Sequence, residues 1–499
     1  MTDKDKNDIK IQLKREKRPK IPKEELVETK HSAIINGQSV NYTVNVGTML
    51  IKEEEEEKEP QAKATIFYIT YMRDGIENTE IRPITFSFNG GPGSSSVWLH
   101  LGVLGPWRVI AETDEKPVPP PYRLVNNEFS LLDITDLVFI DPVSTGYSRA
   151  VPGQKDTQFH EYKKDIKTVG EFIRLYTSRI KRWNSPKFLI GESYGTTRAA
   201  GLAGYLHQDL GMFLNGVMLI SCILNFQTGR FNPGNDLPNI LFLPTYTATA
   251  WYHKKLPEDL QADLHQTLAK VTAFAMNDYT LALMKGDQLS TEEETRIINQ
   301  LARYTGLSER YVKGANLRIN IHRFVKELLR EEHRTVGRLD SRFKGIDRDD
   351  TGAEVEFDPS YAVIQGPYTA TLNDYIRRDL NFSSDLPYEI LAPIYKTWKY
   401  EDYDNQYLNV GETLRQAMSM NPFMKVFVGN GYYDLATPFL ATDYTFSHLE
   451  LDPSLRKNIS MGFYEAGHMM YLHQPSLAKL REDLVAFIQS ALSPATITK

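Results

Sequence analysis

The stretch Lys187-Phe188-Leu189-Ile190-Gly191-Glu192-Ser193-Tyr194-Gly195 decides how the rest of the chain is read. Its first four residues form a short, largely apolar run with the length of a buried strand. The helix-prone segment Thr197 to His207 comes after it, and a G-x-S-x-G sequence lies between the two. A serine on such a strand-to-helix turn occupies strained, crowded backbone, and flanking glycines leave room for it. The turn presents the hydroxyl at the carboxyl end of a sheet, so Ser193 is a candidate nucleophile.

Outward from this turn the chain alternates short apolar runs with amphipathic segments. Ile84 to Phe88, Leu137 to Ile140 and Val217 to Ile220 read as buried strands. Ile166, Val169, Phe172, Ile173, Tyr176 and Ile180 recur at helical spacing and make one apolar stripe. This alternation predicts an α/β fold, a mostly parallel central sheet with helices on both faces. Earlier, Asn36-Gly37 signals a hairpin, followed by the alternating Val40, Tyr42, Val44 and Val46 and a strand-like Thr65 to Tyr71. The acidic run Glu53 to Glu57 reads as an exposed connection. After Asn225 the pattern becomes charged and mainly helical until about Glu389. Strands resume at Lys425 to Val428 and Ile459 to Tyr464, before a last helix with Leu477, Leu480, Leu484, Phe487 and Ile488 on one face. The expected organisation is a charged, disordered tail over 1–30, a first part of the core over 31–224, an inserted helical cap over 225–389, and a second part of the core over 390–499.

Composition excludes several function classes. Of 499 residues, 41% are hydrophobic and 24% charged, the balance of a globular protein with a large core. A formal net charge of -6 provides no basic field for nucleic acid. No stretch approaches the roughly 18 consecutive apolar residues of a membrane helix, so no membrane partner is expected. Cys222 is the single cysteine, which excludes an intrachain disulfide and a Cys-rich zinc site; no metal or cofactor is expected. Met1 to Lys30 is dominated by charged residues and lacks the apolar segment of a secretory signal, so a cytoplasmic location is expected.

A nucleophilic serine needs a base, and the base needs an orienting acid. On sheet-based hydrolases these occur in the order Ser, acid, His. Three histidines remain after the helical segment: His448, His468 and His473. His448 reads as part of a surface helix and His473 as the start of the last helix. His468 follows an apolar strand in Glu465-Ala466-Gly467-His468, where a loop would present it over the sheet, and is the candidate base. Asp434 lies just beyond Val426 to Gly431 and is the candidate acid, ahead of the surface-type Asp443 and Asp452. Asn89-Gly90-Gly91-Pro92-Gly93-Ser94-Ser95-Ser96 follows directly on a strand, and its glycines let backbone N–H groups approach a substrate oxyanion. The phosphate-loop alternative lacks its lysine.

Asn89 to Ser96, Gly191 to Gly195, the Asp434 segment and Gly467-His468-Met469 resemble, in this order, the signature blocks of the serine carboxypeptidase family. Asp141 to Ser148 resembles a fifth, substrate-side block. The resemblance runs from about residue 80 to 490 and implies an α/β-hydrolase fold with a helical cap. It implies Ser193 as nucleophile, His468 as base and Asp434 as its orienter, with Gly91 and Tyr194 as the oxyanion N–H pair. It also implies release of residues from peptide carboxyl ends through an acyl-enzyme, with Asn89 and Glu192 binding the terminal carboxylate. An esterase or acyltransferase on the same scaffold is the alternative, and a catalytically silent binding protein is disfavoured by the filled triad positions. There are two departures. Val103 stands where many members carry a second Glu that pairs with the residue at Glu192, which removes a like-charge contribution raising its pKa. Ser94 stands where the motif often has Cys. Trp98, Leu99, Tyr147, Met469 and Met470 are candidate pocket walls, with core packing the blander alternative.

Overall fold

A computed structural model describes residues 21–53, 60–113, 116–400 and 403–493. Residues 1–20 of the expected tail and most of the Glu53 to Glu57 run lie outside the described residues. The main sheet takes β1 (Leu26–Ile35), β2 (Gln38–Glu53), β3 (Gln61–Arg73), β4 (Ile84–Phe88), β5 (Asp136–Ile140), β6 (Lys187–Glu192), β7 (Gly216–Ile220), β8 (Lys425–Gly431) and β9 (Ile459–Tyr464). In space they run β1-β2-β3-β5-β4-β6-β7-β8-β9, with the two-residue strand Arg149–Ala150 added beside β3. β1, β2, β3 and β5 pair antiparallel in succession, and every later neighbour pair is parallel. All residues of β4, β5 and β7 are buried, as expected of central strands covered on both faces. This is the α/β-hydrolase architecture expected from the sequence.

The sheet starts earlier than expected. Leu26 to Lys30, assigned above to the tail, are the first half of β1, with Lys30 paired to Thr43 and His31 to Tyr42. Only Ala33 and Ile35 of β1 are buried, so its apolar signal begins late while its backbone pairing begins at Leu26. Charged side chains on such an edge strand also discourage pairing with other chains.

Helices cover both faces. α1 (Tyr162–Arg179) and α2 (Tyr194–Gln208) pack on one face, with Val169, Phe172, Leu202 and Leu206 against Leu189 and Val217. The insertion contributes α3 (Leu237–Tyr252), α4 (Leu264–Phe274) and α5 (Thr291–Thr305), which share a separate apolar core including Leu241, Leu243, Val271 and Leu301. α5 shows why this segment is helical. Ser290 and Glu293 form a reciprocal capping box at its start, and Gly306 in the left-handed conformation (φ 70°) ends it. α6 (Pro359–Arg378) departs from the expected partition. It lies within the 225–389 segment assigned to the cap, yet Ile364, Tyr368, Leu372 and Ile376 pack into the sheet's other face. α7 (Gly411–Met420) joins α1 and α2, α8 (Phe439–Ser447) joins the cap core through Phe439 and Leu440, and α9 (Gln474–Leu492) covers the α6 face. Among the described residues no helix is long and apolar enough to cross a membrane.

Candidate active site

Ser193 sits between β6 and α2 with φ 60° and ψ -129°, a conformation costly for any residue with a Cβ. The surroundings enforce it. A Cβ on Gly191 would lie 2.1 Å from the Gly195 carbonyl oxygen, and one on Gly195 would lie 2.9 Å from that of Phe88. A Cβ on Gly90 would come within 2.4 Å of the Tyr194 nitrogen, so the glycine-rich loop lies flush against the elbow. Among the described residues neither the Gly91 nor the Tyr194 N–H has a backbone acceptor.

His468 and Asp434 meet as expected. His468 Nδ1 is 2.7 Å from Asp434 Oδ2, and both side chains are buried. Asp434 Oδ1 accepts from the Ala436 and Thr437 N–H groups at 2.8 and 3.0 Å, and its Oδ2 also accepts from Thr437 Oγ1 at 2.6 Å. Burial pushes the His468 pKa down, but the Asp434 charge and hydrogen bond outweigh it, leaving it above its ordinary value. Two consecutive residues at the end of β7 tie this histidine to Ser193. The Ser193 N–H donates to the Ile220 carbonyl at 3.0 Å, and Ser221 Oγ donates to the His468 carbonyl at 2.6 Å. Among the described residues no hydrogen bond joins the Ser193 hydroxyl to His468, a contact commonly long before substrate binds. Ser193 is part-exposed while Asn89, Glu192, Asp434 and His468 are buried.

Asn89 and Glu192 also meet, with Asn89 Nδ2 donating to Glu192 Oε1 at 3.0 Å. Leu99 N–H donates to Asn89 Oδ1 at 3.2 Å, which fixes the orientation of that amide. Burial pushes the Glu192 carboxyl up to about 7, against the pull of the His468 charge and the Tyr471 hydrogen bond. Val103 is buried and supplies no second carboxyl, so desolvation is the main cause of the raised Glu192 pKa, with the Asp434 charge adding to it.

Other side chains support the site. Arg198, one turn past Ser193 and 1% exposed, pairs with Asp165 at 2.8 Å, and its Nη1 donates to the Asn89 carbonyl. A lone charge on a helix of small and apolar residues was the available signal. Arg198→Met would strand Asp165 without its partner and release the Asn89 peptide. A stability loss of about 3–5 kcal/mol is expected, measurable as a lower urea midpoint at unchanged slope. Asp141 of the substrate-side block binds the glycine-rich loop, its Oδ1 accepting from the Ser96 N–H and Oγ at 2.8 Å each. The cap contributes too, since the Leu339 carbonyl accepts the His468 N–H at 2.7 Å and the Arg338 carbonyl accepts the Leu435 N–H at 3.0 Å. The candidate pocket walls are packing residues. Trp98, Leu99, Tyr147, Met469 and Met470 are all buried, with Tyr147 edge-on to Phe67 and Tyr388. The rival histidine His448 is exposed at the end of α8. Among the described residues no group of three or more His, Cys, Asp or Glu side chains could hold a metal ion.

A sequence model of the family described as serine carboxypeptidase matches residues 56–468. The chain belongs to that family. It is 28% identical over 160 residues to the pheromone-processing carboxypeptidase KEX1 of Saccharomyces cerevisiae, covering 30% of this chain and 20% of that protein. It is 26% identical over 137 residues to serine carboxypeptidase-like 29 of Arabidopsis thaliana, covering 27% of this chain and 26% of that one. The matched segments thus span about a quarter or less of these relatives' length. The crystal structure of the Saccharomyces cerevisiae prohormone-processing carboxypeptidase KEX1(delta)p superimposes with a TM-score of 0.56 at 17% identity, over 90% of this chain and 91% of that one. That likeness is one of fold.

Proposed function

We propose that this family member is a serine-type carboxypeptidase that releases residues from peptides with a free carboxyl end. Ser193 Oγ attacks the last peptide carbonyl and passes its proton to His468 Nε2, while Asp434 holds the imidazole by Nδ1. The Gly91 and Tyr194 N–H groups stabilise the resulting oxyanion. As the tetrahedral intermediate collapses, the C–N bond breaks and His468 returns the proton to the departing amine. Water, deprotonated by the same histidine, then hydrolyses the Ser193 ester. Asn89 and a protonated Glu192 bind the substrate's terminal carboxylate, because an ionised Glu192 would repel it.

The observation that carries this reading is the buried Asn89–Glu192 pair beside the nucleophile, with Glu192 held up to about 7. An esterase has no use for a carboxylic acid kept protonated near its serine, since a simple ester offers no free carboxylate. The test is cleavage of an amino-blocked dipeptide with a free carboxyl end, its carboxyl-amidated twin and a simple ester. The free acid is expected to be preferred over the amide by at least about 10²-fold in kcat/KM, the scale of losing a charge-assisted hydrogen bond. Equal cleavage of the two peptides would overturn the role of Asn89 and Glu192, and turnover of the ester alone would favour the esterase alternative.

A further inference from the structure

We propose that Tyr471 is a positioning residue of this site, pinning the Glu192 carboxyl so that its proton faces the substrate's terminal carboxylate. The inference rests on the carboxypeptidase reading above and deepens it.

Tyr471 lies three residues beyond His468 in the short turn Met470–Leu472, so one loop would deliver both the base and this phenol. Its Oη is 2.6 Å from Glu192 Oε2, while Oε1 accepts from Asn89 Nδ2 at 3.0 Å. Each oxygen of the carboxyl thus has one protein partner, and rotation about its last bond would break both. The ring is seated by shape. A Cβ on Gly102 would lie 2.3 Å from a Tyr471 ring carbon, so any residue but glycine there would drive the phenol away from Glu192. Tyr471 is 2% exposed, which leaves Glu192 as the polar purpose of its hydroxyl.

The groups that face Glu192 electrostatically are His468 and Asp434 from the two loops of the base and its acid, Asn89 from the glycine-rich loop, Tyr471, and Tyr368 from α6. Of these, Asn89 and Tyr471 donate hydrogen bonds and favour the ionised carboxyl, against the burial that raises its pKa. A neutral donor holds the carboxyl in place without the mutual repulsion of a second acid. Binding of a free carboxyl end requires protonated Glu192 and falls as pH rises through its pKa. Catalysis requires neutral His468 and rises through the pKa of that residue. Because the two groups interact, the limbs of the resulting bell belong to the pair, and the optimum is expected near neutral pH.

Tyr471→Phe removes the donor but keeps the ring. The ionised form of Glu192 then loses a hydrogen bond, so the alkaline limb of kcat/KM on free-acid peptides is expected to move up by about one pH unit. Below that limb KM should rise several-fold with kcat nearly constant, because the acid is protonated but no longer held. A difluorinated tyrosine at the same position is a stronger donor of similar size and should move the limb the other way. Should Tyr471→Phe fail to fold, this second variant still gives the sign. In a Glu192→Gln background the limb set by this carboxyl is gone, and neither change at residue 471 should alter the pH profile. Superimposable pH profiles for all three forms of residue 471 would overturn the proposal and leave Tyr471 as packing. Failure of the carboxypeptidase reading is a separate result, seen as unselective cleavage of free and amidated peptides by the unmodified protein.

Discussion

Ser193→Ala is expected to lower kcat on a free-acid dipeptide by about 10⁶-fold while leaving the protein folded, which makes it the largest single effect the site should show. The chemistry needs the Oγ lone pair to form the acyl-enzyme, and no neighbouring group stands in for it. The fold does not need the hydroxyl. Among the described residues Ser193 Oγ makes no hydrogen bond, whereas the backbone at that position is held by the bond from its N–H to Ile220 and by the glycines packed around it. Alanine and serine meet the same Cβ strain at φ 60°, so the variant pays no new conformational cost. The thermal midpoint should therefore stay within a degree or two of the parent, roughly the effect of a neutral surface change. Donors at Gly91 and Tyr194 should sustain a residual rate of about 10³–10⁴-fold over water. The measurement is kcat together with labelling by a fluorophosphonate, which should modify the parent at Ser193 and leave the variant untouched. A variant retaining more than about a hundredth of parental kcat would mean that another nucleophile carries the reaction, and the assignment of the site would fall.

That Ser193 would sit on a strand-to-helix turn and that Asp434 would meet His468 was legible in the sequence because of how a doubly covered sheet is built. Strands β4 to β7 are fully buried, as is β8 after Lys425, while β9 at the sheet's edge is only partly buried, so all but the last appear as short apolar runs with sharp ends. Residues just beyond those ends lie at one edge of the sheet, and chain order alone then ranks the candidates. Side chains that act across the fold leave no such trace. Ser221 braces the His468 carbonyl from the end of β7, and Arg198 clamps the Asn89 peptide from inside α2, each through a contact with a segment far away in sequence. Tyr471 is near His468 in the chain, but its target, Glu192, is not.

The errors in the fold have the same origin. Leu26 to Lys30 pair with β2 through backbone groups, which every residue type possesses, while their side chains look like those of a tail. α6 carries an apolar stripe that signals burial, yet periodicity does not say against what; the stripe meets the sheet rather than the cap helices. The loop between Thr335–Val336 and Lys344–Gly345 carries Arg338, Asp340 and Arg342. Its backbone hydrogen-bonds to Tyr433, Leu435 and His468, which binds the insertion to the segments that carry Asp434 and His468.

Asp434→Asn tests that acid more sharply than its removal, because the hydrogen bonds around it dictate which way the amide must turn. Oδ1 of Asp434 accepts from two backbone N–H groups, those of Ala436 and Thr437. An amide NH₂ placed there would face two donors, so the amide oxygen must take that position and the NH₂ must take the place of Oδ2. It then points at His468 Nδ1, which at present lies 2.7 Å from a carboxylate oxygen and serves as donor. Facing a donor, Nδ1 must give up its proton and become the acceptor. The proton moves to Nε2, the nitrogen that has to receive the proton of Ser193, and the histidine is locked in the wrong tautomer. A loss of about 10⁴-fold in kcat is expected at neutral pH, with fluorophosphonate labelling slowed in proportion. The imidazole also loses the negative charge that holds its pKa above the ordinary value, so the residual activity should begin its rise at lower pH than in the parent. Asp434→Ala lacks the amide and leaves the tautomer free. It should be the less damaged of the two at equal folding, and an Asn variant more active than the Ala variant would show that the geometry around Oδ1 does not control the histidine.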